Sequence, residues 1–528
     1  MTSPDLVLAG ASVRSLAASA IRDGLCPVCI DMFADADLRR LLVSRFGTRT
    51  GLLHQICSFD QVPEVLRQVT SDLPVVLAGG LENHAAVVAR IADDRPLAGT
   101  PPAVIRQLRN PNRLFRVLTE CGVSVPQWRT AASRIDRSNF SAEGAGTGGD
   151  SAKDRAENKW RKLPACDAEE RKLPAYDADE HKLEACGAEQ HKLETYGAGK
   201  RKLEACATFR HDSHFAFGPK SPSGRRWLRK MIVSSGGQGV TWHASDTSGS
   251  ANAVAVASDA CFLQEFVEGT AASATFLAAG DAEDGASERA VNDHDRQQRV
   301  RLLGTALQLS GLAELNAGTF QFCGNAGPIR VNRQLRPKIE RVGQVLADNF
   351  GLRGVFGVDF IVQNNDPIVV EVNPRVTASH ELHEWAHPQL PGHVVLHLEG
   401  VPKLLNSVPD PAADPGPWAR LVLYSRKNLV LSTSQQTELL NLAASNGFEA
   451  PARRIRVADI PETGQPVPTD SPLCSLYVDL RVSPDQIKLF ARRLTTVIRQ
   501  SHGFSKELVR QIQVRISDLQ SDREFGNS

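Results

Sequence analysis

Short apolar runs alternate with amphipathic stretches over the first hundred residues. "DLVLAG" from Asp5 reads as an apolar strand. "SVRSLAASAIRDG" has helical spacing and a glycine stop, and "PVCIDMF" and "PVVLAGG" are further strands. Strand and helix in alternation predict a parallel sheet with helices on its faces. "RNPNRLFRVLTECGVSVPQWR" predicts a helix, a glycine stop and a proline-led extended exit. Farther on, "GRRWLRKMIVSSGGQGVTWHAS" predicts strand, glycine-rich loop, strand. "CFLQEFVEG" is a short buried strand running into "TAASATFLAAG", and a helix is expected near "QLRPKIERVGQVLADNFG". Beyond about residue 396, the strands "WARLVLYS" and "SLYVDLRV" accompany an amphipathic helix with Ile487, Phe490, Leu494 and Val497 on one face. That tail predicts a small α+β domain capping the rest.

The periodic pattern is lost between these parts. "SAEGAGTGGDSAKD" has linker composition. A ten-residue repeat follows, from "RKLPACDAEE" to "RKLEACATFR". Ten helical steps leave each copy turned back by roughly 80°, so Leu163, Leu173 and Leu183 form no straight stripe, and Pro164 and Pro174 break a helix. One Leu and one Cys or Tyr per copy bury too little apolar surface to offset chain entropy. The region 135–222, with repeats at 161–210, is expected to be a disordered, solvated insert without chemistry. A partner- or metal-binding array through Cys166, Cys186 and Cys206 is the less favoured reading.

Composition is that of a soluble globular protein: 528 residues, 41% hydrophobic and 23% charged. A formal net charge of +1 gives no field that would favour nucleic acid or an anionic membrane. No apolar run is long enough to span a bilayer, and the start lacks the basic residues of a secretory leader. Ten cysteines without a disulfide framework fit a reducing cytoplasm. Cys26 and Cys29 have CxxC spacing, but no second pair or nearby His completes a zinc site, so packing in a buried strand is expected. "AGASVRS" supplies one glycine where a dinucleotide fingerprint needs three, which weakens a dehydrogenase reading with Asp31 on a ribose.

The chemistry concentrates in "GVDFIVQNNDPIVVEVNPR", from Gly357. Two apolar strands flank a turn, and each contains a carboxylate. A hairpin centred on Asn365 sets Asp359 directly across from Glu371, with Asn373 on the same face and Val358, Phe360, Val370 and Val372 on the other. Facing carboxylates repel, and in a partly buried site one should lose its charge. A divalent cation removes the conflict. Two carboxylates and an amide oxygen suit Mg²⁺ or Mn²⁺ that also holds phosphate oxygens. The alternative is an edge hairpin with both carboxylates in solvent. Lys230 followed by Ser235, Gly236, Gly237 and Gly239 forms a cradle of backbone N–H groups and a point charge, unlike a Walker A loop, where the lysine follows the last glycine.

In this order, Lys230 with "SSGGQGV", then "LQEFVEG", then "GVDF" and "EVNPR" resemble the ATP-grasp superfamily, and "EVNPRVTASHE" is similar to its biotin-carboxylase-like members. The resemblance implies ATP as nucleotide, with adenine at residues 263–266, which include Gln264, Glu265 and Phe266. Glu268 is the nearest carboxylate for the ribose. It further implies Mg²⁺ on Asp359, Glu371 and Asn373, and Arg375 facing the transferred phosphoryl group or acyl phosphate. A second phosphate-binding basic residue, expected before the loop, has no evident place in the sequence. The implied layout is a Rossmann-like pre-ATP-grasp domain at 1–115, an ATP-grasp domain at 116–395 and a small α+β domain at 396–528, an α/β plus α+β fold overall.

The tail "VADIPETGQPVPTDSPLCSLYVD" is similar to a subgroup of carboligases related to biotin carboxylase. That subgroup is associated with tetrahydromethanopterin- and methanofuran-linked one-carbon metabolism, and a related ligase joins glutamate to tyramine. The resemblance thus implies a ligase that activates a carboxylate as an acyl phosphate for attack by an amine or thiol, with Lys230 and Arg375 stabilising charge. His380 and Glu381 are candidates for substrate positioning, whereas His383 and His387 are expected at the surface. A non-catalytic ATP-binding scaffold, or a carboxylase with a separate biotin carrier, remain the alternatives. The acid, the amine and the oligomeric state are not legible.

Overall fold

The computed structural model describes residues 3–48, 51–69, 72–130, 225–234, 236–243, 261–279, 299–399, 417–443 and 454–521. The linker, the decapeptide repeats and Ser235 lie outside the described residues.

The first strands are β1 (Leu6–Gly10), β2 (Pro27–Asp31), β3 (Leu53–Gln55) and β4 (Val75–Leu77). They form a parallel sheet in the order β3-β2-β1-β4, as the alternating pattern predicts. Successive side chains point to opposite faces. Leu6 and Leu8 enter one apolar cluster with Leu16 and Ala20 of the helix Arg14–Arg22, while Val7 and Ala9 enter another with Val28 and Ile30. Cys26 and Cys29 are buried in this packing and are not joined in a disulfide.

A four-stranded antiparallel sheet follows from β5 (Trp128–Thr130), β6 (Trp227–Met231), β7 (Val240–Trp242) and β8 (Cys261–Glu265), in the order β5-β8-β6-β7. The largest sheet contains β9 (Thr270–Ala278), β10 (Val300–Ser310), β11 (Phe322–Gly327), β12 (Gly354–Gln363), β13 (Asp366–Asn373) and β14 (Trp418–Tyr424). Of the later strands, β15 (Leu429–Val430) pairs with β17 (Pro466–Val467), whereas β16 (Ile455–Ala458) and β18 (Pro472–Asp479) join the large sheet. Its order is β13-β12-β9-β10-β11-β14-β18-β16, antiparallel throughout. Of the C-terminal strands, β14, β18 and β16 therefore extend this sheet, while β15 and β17 form a separate pair. The helix Leu335–Phe350 buries Ile339, Val342 and Leu346 in the same core. Gly343 lets it approach, because a Cβ there would lie 2.5 Å from the Phe276 ring. The helix Pro484–Ile498 starts on a Ser483–Gln486 capping box and buries Ile487, Leu494 and Ile498, with Phe490 and Val497 at the margin.

Histidines are packed where the parallel sheet meets the large one. His397 is 3% exposed and wedged against Gly99 and Gly354. Its Nδ1 accepts the Val355 N–H at 3.0 Å, and its Nε2–H donates to the Ala98 carbonyl at 3.2 Å. Burial pulls this imidazole down to about 4, although the bond to the Ala98 carbonyl acts the other way. The folded value thus lies below an unfolded one of about 6.5. The associated stability is present above about pH 6.5 and is lost as pH falls toward 4, on the order of 3 kcal/mol. His383 and His393, also lowered by burial, add to the same trend. Melting temperature is expected to drop across this window, and less steeply in His397→Gln. A flat profile would contradict the assignment.

Candidate active site

β12 and β13 reverse through Asn364 and Asn365, both in the left-handed region at φ 52° and 55°. Asparagine tolerates this conformation in a two-residue hairpin turn. The first pair is Gln363 with Asp366, a register that would bring Asp359 opposite Val370. A bulge shifts it: Phe360 pairs with Val369 and Asp359 with Glu371. The carboxylates face each other as expected, but through the bulge rather than a turn centred on Asn365. The bulge also corrects the expected core set. Val369 is fully buried with Val358, Phe360 and Val372, whereas Val370 is only half-buried.

Asn373 shares the carboxylate face, and its amide donates to Asp359 Oδ2 at 3.2 Å. The Gln308 amide of β10 bonds the same carboxyl. Burial and the adjacent Glu371 push Asp359 up to about 7, against Gln308, Arg375 and Asn373. Burial also acts to raise Glu371, but Lys230, Arg109 and Arg375 hold it below the usual carboxylate value. The pair is therefore electrically unequal: Glu371 keeps its charge, and Asp359 shares a proton near neutrality.

The opposite wall is basic. Lys230 on β6 donates to Gln264 Oε1 at 3.2 Å, and Gln264 is 2% exposed. Arg109, just beyond the helix Pro102–Leu108, reaches Glu371 Oε1 at 3.1 Å and Glu82 Oε1 at 3.2 Å. Arg375 Nε donates to that same Glu82 oxygen at 2.6 Å. Arg109, Glu82 and Gln308 escaped the sequence reading. The available signal for Arg109 is its place just before Asn110, the cap of the helix Pro111–Glu120, and for Glu82 its place in the loop leaving β4.

Between β6 and β7, Gly236, Gly237 and Gly239 all adopt positive φ, 62°, 75° and 78°. Such backbone turns N–H groups toward one side, suiting an anion. The loop is docked: the Gly236 carbonyl accepts the Phe322 N–H at 2.9 Å, and Asn83 Nδ2 donates to the Ser234 carbonyl at 3.0 Å. The cleft bounded by Arg109, Lys230, Ser234, Phe262 and Glu371 has a volume of about 50 Å³.

The remaining candidates are spread out. Glu265 and Phe266 donate their backbone N–H groups to Gln127 and Arg226 carbonyls, so Val267 carries the next amide. Glu268 is exposed and paired with Arg226. Glu381 is not on the cleft. It is 1% exposed and held by Arg14 at 2.7 and 2.9 Å and by Tyr477. His380 is buried, its Nδ1–H donating to the Thr377 carbonyl at 2.9 Å. His383, expected at the surface, is 3% exposed, because its ring packs on Gly304 of β10; His387 is half-buried.

Among the described residues, no group of three or more His, Cys, Asp or Glu is arranged to hold a metal ion. Asp359, Glu371 and Asn373 supply two carboxylates and one amide, a donor set that suits a hard cation whose remaining ligands are phosphate and water. Among the same residues, no helix is long and apolar enough to cross a membrane.

Residues 192–379 match the model of a family described as an ATP-grasp domain. A protein of Methanocaldococcus jannaschii described as uncharacterised is 34% identical over 59 residues, and the match spans only 15% of that relative's length and 11% of this chain. Three solved structures are similar in fold. N5-carboxyaminoimidazole ribonucleotide synthetase of Thermus thermophilus has a TM-score of 0.51 at 12% identity, covering 94% of this chain and 98% of that one. The Aspergillus clavatus carboxyaminoimidazole ribonucleotide synthase, complexed with ATP, has a TM-score of 0.50 at 10% identity, with 98% and 99% covered. The Staphylococcus aureus N5-carboxyaminoimidazole synthetase, complexed with ADP, has a TM-score of 0.50 at 11% identity, with 93% and 96% covered. The family match assigns an ATP-grasp domain to residues 192–379, and the likenesses show a shared mixed α/β fold.

Proposed function

We propose that this protein is an ATP- and Mg²⁺-dependent ligase that joins a small carboxylic acid to an amine, or to a thiol, through an acyl phosphate. The observation that carries the reading is the facing pair Asp359 and Glu371, with Lys230, Arg109 and Arg375 gathered around Glu371 beside a docked glycine-rich loop. Asp359, Glu371 and Asn373 would hold Mg²⁺ or Mn²⁺. When bound, the ion neutralises phosphate charge.

The chain's own residues divide the remaining work. Gly236, Gly237 and Gly239 offer backbone N–H groups to phosphate oxygens, and Lys230 and Arg109 add positive charge. Arg109 takes the place of the second basic residue. Gln264 to Phe266, with Val267, flank the adenine, and Glu268 is the carboxylate nearest the ribose. A carboxylate oxygen of the acid attacks the γ-phosphorus, and ADP leaves with the bonding pair. The amine then attacks the acyl carbon, loses a proton, and expels phosphate. Arg375 and Lys230 stabilise the phosphoryl group and the oxyanion that develops. On the resemblance of the C-terminal stretch alone, we place the product in the assembly of a one-carbon carrier cofactor.

A cleft of about 50 Å³ is smaller than the roughly 300–1,000 Å³ of ligand pockets, so nucleotide entry requires the loop to lift from Phe320 and Phe322. Gly237→Ala tests this loop. A Cβ there would lie 1.9 Å from the Phe320 carbonyl oxygen, on a backbone at φ 75°. ATP affinity by calorimetry is expected to fall by about tenfold or more. Unchanged affinity would remove the loop from nucleotide binding.

The reading itself is tested by exchange of labelled ADP into ATP with candidate acids and no amine. Acid-dependent exchange is expected, since acyl phosphate formation is reversible. Tight ATP binding with no exchange for any acid would favour the non-catalytic binding protein.

A further inference from the structure

We infer that Glu82 is a positioning residue: a buried carboxylate from the parallel-sheet region that fixes Arg375 and Arg109 together at the phosphate end of the cleft. The inference rests on the ligase reading for its catalytic consequence, but its geometric content is independent of turnover.

Glu82 lies in the single helical turn Leu81–Asn83 after β4 and is 1% exposed. One oxygen serves both arginines, with Arg375 Nε at 2.6 Å and Arg109 Nη2 at 3.2 Å. Oε2 has no hydrogen-bond partner among the described residues. Two guanidiniums converging on one small site repel, and a carboxylate between them removes that repulsion. It also selects which donors are spent. Arg109 keeps Nη1 for Glu371, and the Arg375 guanidinium lies over Gly79, about where a side chain at that position would sit (3.5 Å from an ideal Cβ). The Arg375 guanidinium also donates from Nη1 to the Val376 carbonyl at 3.2 Å, so it is held at Nε and Nη1 and presents Nη2 in a defined direction, which a flexible ammonium cannot do.

An ion pair that served stability alone would be expected to use both carboxylate oxygens, since a buried oxygen left unmet is costly. Here one oxygen does all the holding. The same turn supplies Asn83, which bonds the Ser234 carbonyl of the glycine-rich loop. Adjacent residues thus touch the arginine pair and the loop, and the contacts to Arg375 and Ser234 span long stretches of chain. No charge pattern near residue 82 announces this role.

The experiment compares the full-length protein with Glu82→Gln and Glu82→Asp by two readouts. The first is phenylglyoxal modification of Arg109 and Arg375, followed by peptide mass spectrometry, without ligand. Side-chain exposures of 16% and 15% predict slow labelling in the parent. Release of the clamp should speed both sites by about tenfold in Glu82→Gln, with partial return in Glu82→Asp. The second is phosphate release. Glu82→Gln should lower kcat by about 10- to 100-fold with KM for ATP changed by less than about threefold, and its effect should be non-additive with Arg375→Lys. Unchanged labelling, or a loss confined to KM, would overturn the inference. Faster labelling in a protein whose parent releases no phosphate would uphold the clamp and overturn the ligase reading. If Glu82→Gln does not fold, Glu82→Asp carries both readouts, and parent-like labelling and kcat there would overturn the inference.

Discussion

Glu371→Gln is expected to lower ATP-dependent phosphate release by roughly 10²- to 10³-fold, the scale for loss of one preorganised charged group in a reaction centre. The amide preserves size and strand pairing, so the effect comes from charge. Glu371 is the member of the pair that stays ionised, because Lys230, Arg109 and Arg375 surround it. Neutralising it removes a hard ligand and leaves Arg109 with Glu82 alone. It also removes one of the causes that raise Asp359, whose carboxyl should then fall from about 7 toward the ordinary range. Nucleotide affinity should change far less, since phosphate contacts through the loop and Lys230 survive. Stability should move by less than about 1 kcal/mol, because the Glu371 side chain is 36% exposed and its ion pair with Arg109 is screened. Single-turnover phosphate release with parallel calorimetry checks all three. Release above roughly a few per cent of the parent would remove Glu371 from the reaction centre.

Arg14→Met is expected to destabilise the fold by about 3–5 kcal/mol, the cost of breaking a buried ion network by removing one partner. Arg14 is 7% exposed. It bonds both oxygens of Glu381, Asp459 Oδ1 at 2.7 Å and Tyr477 Oη at 2.8 Å. Burial acts to raise Glu381, and Arg14 more than offsets it, so the carboxyl stays below its ordinary value. Asp459 is held low in the same way by Arg14 and Arg420. Methionine fills comparable space but leaves both carboxylates without that cation. These contacts join the first helix to the helix His380–Ala386 and to β18, so the loss should appear as a lower denaturation midpoint. A shift below about 1 kcal/mol would mean that Arg420 or entering water compensates.

The sequence made the two strands legible because they depend on period-two alternation and a short turn. The register was recovered for a different reason: Val370 is the extra residue of a bulge, and nothing in "DPIVVEVN" distinguishes Val369 from Val370 as the core side chain. Lys230 and the glycine loop were legible as a local motif. Arg109 and Glu82 were not, because Arg109 meets Glu371 and Glu82 meets Arg375 across more than two hundred residues of chain, and a surface arginine looks the same in sequence. His383 was expected at the surface, but the helix that carries it is enclosed by β10 and the first helix, so even its charged residues are buried. Glu381 looked like a candidate for substrate positioning because it follows "EVNPR" closely, whereas its geometry ties it to Arg14.

The most direct measurement is phosphate release from ATP and Mg²⁺ across a panel of acid and amine pairs, including glutamate with tyramine and with pterin or furan precursors, with Glu371→Gln as control. The account predicts a pair for which release requires both acid and amine and is lost in the variant. Release that ignores the acid, or that persists in Glu371→Gln, would contradict it.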